Sequence, residues 1–156
     1  MTQTQTLMMQ KRKPLMKTKD LNSEHAHQSA VFEWMNWQAK GPIPELAWAF
    51  AIPNGGLRHI KVAKDLKEEG VKSGVPDIMI PVARNGFHGV FIEMKKPQGH
   101  TTTYQEEWLN HLSILGYLAL ACHSSNEAIE LIEYYFGKRS KPVAWKLEKE
   151  LTNAGS

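Results

Sequence analysis

Gly74-Val75-Pro76-Asp77-Ile78-Met79-Ile80 and, a little further on, Val90-Phe91-Ile92-Glu93-Met94-Lys95 are the two stretches on which the reading of this chain turns. Each is a short apolar run of the kind that forms a strand. Between them lies Asn85-Gly86, a dipeptide suited to a tight hairpin turn. One strand opens on an acid, and the next ends on an acid and a lysine two positions apart. Side chains alternate along a strand, so Glu93 and Lys95 share a face while Ile92 and Met94 take the other. Charges on an otherwise apolar strand are costly to bury unless they reach water or a metal.

The register of this hairpin can be worked out by arithmetic. A two-residue loop at Asn85-Gly86 pairs 84 with 87, so paired numbers sum to 171 and Asp77 faces Met94, on the wrong side from Glu93. A shift of one, from an odd-length loop or a bulge, pairs Asp77 with Glu93 or Lys95 and unites all three side chains. The expectation is therefore that this is not a regular two-residue hairpin. Two carboxylates converging on one point suit Mg²⁺ or Mn²⁺, hard ions that prefer oxygen ligands. Such an ion binds a phosphodiester oxygen, offsets developing negative charge and lowers the pKa of a bound water. Lys95 beside it would orient the attacking water and stabilise the transition state, so no covalent intermediate is needed.

Outward from this hairpin, the chain reads as alternating helices and strands. Asn22 or Ser23 caps a helix whose apolar positions Ala26, Ala30, Val31, Trp34 and Trp37 recur at helical spacing up to Gly41-Pro42. Residues 46–52 form an apolar run closed by Pro53-Asn54-Gly55-Gly56, which reads as a strand and a tight loop. A helix over 58–69 stops at Gly70, and strands over 77–82 and 89–95 follow. Any of Thr101 to Thr103 caps a helix running to about 115, before Gly116. A buried strand over 117–122 and a helix over 126–136 close the domain. The result is an α/β fold, a mixed central sheet flanked by helices.

Size and charge fit this picture. The 156 residues suit one domain, here 22–137, between a basic arm at 1–21 and a basic tail at 138–156. The net charge of +3 is unevenly laid out: residues 1–20 carry +4, residues 137–156 carry +3 and the middle carries −4. Basic ends around an acidic middle suit a protein that meets a polyanion at its periphery and concentrates carboxylates inside, although solvated tails give the same pattern. No apolar run approaches a membrane span and the N-terminus lacks a signal peptide's apolar centre. The one cysteine, Cys122, lies in an apolar run and reads as a buried thiol, so a cytoplasmic protein without membrane partners is expected.

Pro76-Asp77 followed by Glu93-Met94-Lys95 resembles the PD-(D/E)XK nuclease superfamily. The surroundings narrow the resemblance to its VRR-NUC branch, the virus-type replication-repair nucleases. They are Glu24 and Gln28, Pro53-Asn54-Gly55-Gly56 with Arg58, Gly70-Val71-Lys72-Ser73-Gly74, Gly89, Gln105 and Gly116-Tyr117. The match spans roughly residues 22–136, and its combined pattern is specific although each piece alone is weak.

The resemblance implies a restriction-endonuclease-like fold and Mg²⁺- or Mn²⁺-dependent cleavage of phosphodiester bonds. It makes Asp77 and Glu93 metal ligands together with the backbone carbonyl of Met94. Lys95 becomes the catalytic lysine, Glu24 reaches the same site from the first helix, and Gln105 stands near it from the helix after the hairpin. Small stand-alone members resemble homodimers acting on branched DNA such as four-way junctions, and this chain is similar to that kind.

Further residues are read on their own chemistry. Asn54, Gly55 and Gly56 make a turn whose bare backbone can approach a phosphate. Arg58 and Lys61 on the second helix, and Lys72 and Lys96 beside the two acidic motifs, are phosphate contacts. The histidines show no zinc spacing. Trp34, Trp37, Trp48 and Trp108 read as core or dimer contacts and not as stacking platforms. The function expected is a structure-selective endonuclease on branched or duplex DNA, a dimer presenting one site to each strand. An exonuclease or flap nuclease, and a DNA-binding module without catalysis, are the alternatives.

Overall fold

A computed structural model describes residues 20–53 and 60–140, the side chains of 60 and 61 excepted. Asn54, Gly55, Gly56, Arg58, the side chain of Lys61, and most of the expected arm and tail lie outside the described residues. One mixed sheet organises the rest, in the order β1 (Phe50–Ala51), β2 (Ile78–Ile80), β3 (Val90–Met94), β4 (Leu118–Cys122). The first three strands pair antiparallel; β3 and β4 run parallel. A parallel step needs a crossover, and α3 (Thr103–Ile114) supplies it. α1 (Glu24–Gln38), α2 (Ile60–Glu68) and α4 (Ser125–Tyr135) complete the set.

Local sequence explains the helix starts. The hydroxyl of Ser23 accepts from the amide of Ala26 at α1, and that of Ser124 accepts from Glu127 at α4, each at 3.1 Å. The faces of the sheet follow the two-residue alternation of the strands. Ile78, Ile80, Val90, Ile92, Met94, Leu118 and Cys122 join Val31 and Met35 of α1 and Leu131, Ile132 and Tyr135 of α4 in one core. Burying each of the larger aliphatic side chains contributes roughly 1.5–3 kcal/mol, so this even-numbered face is strongly fixed inward. The odd-numbered face, carrying Asp77, Glu93 and Lys95, is left for α3. No helix among the described residues is long and apolar enough to cross a membrane.

The expected element order holds, with one correction. Residues 46–52 are not a strand: Pro44–Trp48 is a 3-10 helix and only Phe50–Ala51 pairs in the sheet. Pro44 stands in its first turn, where a fixed φ and a missing N–H cost nothing, and Leu46 is its buried anchor. Of the tryptophans read as core or dimer contacts, Trp34 packs against the core, and Trp37 and Trp48, each 73% exposed, lie outside it.

The hairpin carries the expected shift of one, made by a bulge and not by an odd-length loop. Its tip is a regular two-residue turn: Arg84 bridges Phe87, and Asn85 and Gly86 have φ of 54° and 82°. The ladder below is shifted by one, with Ile78 facing Ile92 and Ile80 facing Val90. Pro81, Val82 and Ala83 therefore stand opposite only His88 and Gly89, and the irregularity is a bulge below the turn. Pro81 suits this place because it has no N–H to offer a ladder. Gly89 suits it too, since a Cβ there would lie 2.8 Å from the carbonyl oxygen of Ile80. Tyr135 pins the bulge from α4: its hydroxyl donates to the carbonyl of Val82 at 2.5 Å and accepts from the amide of Arg84 at 3.0 Å.

Candidate active site

The shifted register carries β2 and β3 back to the residues singled out by the sequence. Extended by one position, it sets Asp77, just before β2, opposite Glu93 near the end of β3. Asp77 is held there by the chain opposite, because Met94 donates its amide hydrogen to Asp77 Oδ2 at 2.8 Å. Lys95 continues the parallel ladder, its amide donating to the carbonyl of Cys122 at 2.8 Å. Glu93 and Lys95 do share a face, with Glu93 Oε1 and Lys95 Nζ 3.1 Å apart.

Both are buried, Glu93 to 2% exposure and Lys95 to 6%, so neither exchanges its partner freely for water. Glu24, the first residue of α1, adds its carboxylate 3.6 Å from Lys95 Nζ. Gln105 comes from α3. A capping box fixes its orientation: Thr102 Oγ1 accepts from the amide of Gln105, and Gln105 Oε1 accepts from the amide of Thr102. With Oε1 so engaged, the amide nitrogen is the atom turned to Glu93, and it donates to Glu93 Oε1 at 2.5 Å.

Helix α3 is seated against the first acidic motif. Trp108 Nε1 donates to the carbonyl of Ser73 at 3.1 Å. Gly74, with φ of 84°, lets the backbone of Tyr104 approach so closely that a Cβ would lie 2.8 Å from that of Tyr104. The glycine before Val75-Pro76-Asp77 is thus a packing requirement for the helix that bears Gln105.

Charge is in excess here. Three carboxylates surround one lysine. Burial is the largest cause that raises Asp77 above the ordinary aspartate range, moderated by the bond from Met94. Burial, and then the charge of Asp77, push Glu93 up to about 7. Glu93 Oε1 is taken by Lys95 and Gln105, while Glu93 Oε2 is buried without a hydrogen-bond partner. A buried carboxylate oxygen without a donor, beside a second carboxylate, is a place for a proton or a cation. Among the described residues, no three acidic, histidine or cysteine side chains close on a common point. Glu24 reaches this cluster from α1 through Lys95 Nζ.

A family model, the VRR-NUC domain, matches residues 22–126. The chain belongs to the VRR-NUC family. The matched span runs from α1 into α4 and contains Glu24, Asp77, Glu93, Lys95 and Gln105. A solved structure described as a VRR_NUC domain protein is similar to it at 29% identity and a TM-score of 0.62, over 74% of this chain and 88% of that one. Comparison with curated proteins gave no match. The VRR-NUC chain is therefore a nuclease-type domain on a mixed α/β scaffold.

Of the residues expected at the site, the fold gathers Glu24, Asp77, Glu93, Lys95 and Gln105. Lys72 and Lys96, which stand near the two acidic motifs in the sequence, are exposed. Two contributions were not foreseen. Thr102 is one of the three expected helix caps, but its hold on Gln105, legible in the spacing Thr102-Thr103-Tyr104-Gln105, was missed. Tyr135, which holds the bulge, left no sequence signal that separates it from any other apolar helix position.

Proposed function

We propose that this chain is a metal-dependent endonuclease that hydrolyses phosphodiester bonds in DNA, selective for branched structures such as four-way junctions and active as a homodimer. The observation that carries the catalytic part is the unpartnered, buried Oε2 of Glu93 beside the Asp77 carboxylate. A divalent cation suits that oxygen better than a second protein donor, because it also neutralises the excess acid. Asp77, Glu93 and the carbonyl of Met94 would hold Mg²⁺ or Mn²⁺, which when bound supplies Lewis acidity toward a phosphodiester oxygen.

The remaining work falls to the chain itself. Lys95 presents an ammonium whose position is set by Glu93 and Glu24, leaving N–H donors to orient a water and to stabilise charge that develops on the phosphate. Gln105 keeps Glu93 Oε1 occupied and so leaves the buried Oε2 for the cation. Lys72 and Lys96 would contact flanking phosphates, as would Asn54, Gly55, Gly56, Arg58 and Lys61. Branch selectivity and the dimer rest on the family resemblance and on the exposed aromatic residues, Trp37 and Trp48, available to a second copy.

Incubation of the chain with end-labelled four-way junction, flap, duplex and single-stranded DNA, in Mg²⁺, Mn²⁺ or EDTA, tests this reading. Internal nicks in the junction with either ion and none in EDTA are expected. Progressive shortening from ends would make the chain an exonuclease. Intact DNA that shifts on a gel would make it a binding module.

A further inference from the structure

The acid cluster accounts for only one face of α3. Tyr104, Glu107, Trp108 and His111 stand at successive helical spacings along another, and together line an open groove of about 330 Å³. That volume lies near the lower end of the range for small-molecule sites, roughly 300–1,000 Å³. Tyr104 is 67% exposed although it is a large aromatic residue, and it immediately precedes Gln105, the residue bonded to Glu93. Trp108 is not free to turn, because its indole N–H is held by Ser73, and Gly74 fixes the backbone of Tyr104. Two aromatic rings set on a rigid helix, beside the site of chemistry, form a preorganised stacking surface.

The polar members of the groove say what stacks there. Its described lining contains no lysine or arginine and includes the carboxylate of Glu107, so it repels a phosphate. A carboxylate accepts from N–H groups on the Watson–Crick edge of an unpaired base, where guanine offers two side by side, N1–H and the exocyclic amino group, and thymine offers only N3–H. We propose that this groove receives an unpaired nucleobase of the DNA substrate, one that bears an exocyclic amino group. The proposal rests on the nuclease reading for its substrate. It adds that unpaired bases near a branch are held by Tyr104 and Trp108 and are chosen by Glu107.

The test separates the two readings by keeping metal out. In EDTA, the full chain is titrated into a duplex carrying one unpaired 2-aminopurine, whose fluorescence falls when it stacks. Wild type is expected to quench it, and Tyr104→Ala to lose most of the quench and bind about 10-fold more weakly, given roughly 1–3 kcal/mol per stacked base. With unpaired guanine or thymine in place of the probe, wild type should favour guanine about 5-fold, one additional charge-assisted hydrogen bond, and Glu107→Gln should remove that preference. Unchanged quenching and affinity in Tyr104→Ala would overturn the proposal. So would sedimentation showing a wild-type dimer that Tyr104→Ala converts to monomer, because a second copy would then own the groove. Cleavage by wild type in Mg²⁺, measured separately, tests the nuclease reading without touching this one.

Discussion

Met94 donates its backbone amide to Asp77 Oδ2 at 2.8 Å, so the strand that bears Glu93 also positions the carboxylate facing it. The two acids are thereby held on one side of the sheet by backbone geometry, and the surroundings of Lys95 follow from it. Lys95→Ala should lower the cleavage rate by at least about 100-fold, the scale of losing one preorganised charge donor. DNA affinity should change little, because the buried ammonium is bonded to carboxylates and not to the exposed surface. Single-turnover rates set against gel-shift affinities check this; cutting at the wild-type rate would remove Lys95 from the mechanism.

Glu93 makes the metal-free protein sensitive to pH. Its carboxyl is raised from 4.5 to about 7, so the folded state holds a proton that the unfolded chain has released. The stability this proton contributes is complete below pH 4.5 and is lost as pH rises through about 7. The full difference is on the order of 3 kcal/mol. Glu93→Gln should therefore melt higher than wild type at pH 8 in EDTA and nearly alongside it at pH 4.5. Thermal melts of both proteins across that range decide it, and equal wild-type and variant profiles would refute the assignment. Binding of Mn²⁺ below pH 7 should release a proton, seen as a buffer-dependent calorimetric heat that Glu93→Gln lacks.

Gln105 and Thr102 can be told apart by substitution. Thr102→Ala removes the helix cap and should cost about 1 kcal/mol of stability. Gln105→Ala removes half of the capping box and also the donor to Glu93, so it should add a 10- to 100-fold loss of metal affinity, the usual effect of removing an outer hydrogen bond. Urea melts read the first quantity and Mn²⁺ titration the second. Equal metal affinities in the two variants would show that the amide only caps the helix.

The hydroxyl of Tyr135 is a further independent target. Tyr135→Phe keeps the ring in the core but leaves the carbonyl of Val82 and the amide of Arg84 without it. The expected cost is about 1–3 kcal/mol. Loss of the clamp should also loosen the register below it, slowing cleavage more than a surface substitution of equal stability cost. Rates compared at matched folded fraction test this.

Much of this architecture was legible because strand periodicity is strict. Ile78, Ile80, Ile92 and Met94 announce their face, and Asp77, Glu93 and Lys95 could share the other only if the register slipped by one. Arithmetic therefore located an irregularity, but not its place. The turn Asn85-Gly86 is satisfied locally, whereas the slip at residues 81–83 is held by Tyr135, some fifty residues away in sequence. Residues 46–52 misled for the opposite reason: Leu46, Ala47, Trp48 and Ala49 are as apolar as a strand, but Pro44 starts a tight helix and leaves Trp48 in solvent. Glu24 was found through the resemblance alone, since an acid in a first helical turn is common and its partner Lys95 is distant in sequence.

The extra residue opposite His88 and Gly89 uncouples the tip of the hairpin from its stem. Removing one of Pro81, Val82 or Ala83 would leave two residues against two, an even ladder in which Asp77 still faces Glu93. What such a deletion takes away is the local bend and added twist, together with the perch that the Tyr135 hydroxyl grips. The surplus residue therefore aims the strand, while the choice of face for the acids belongs to the stem.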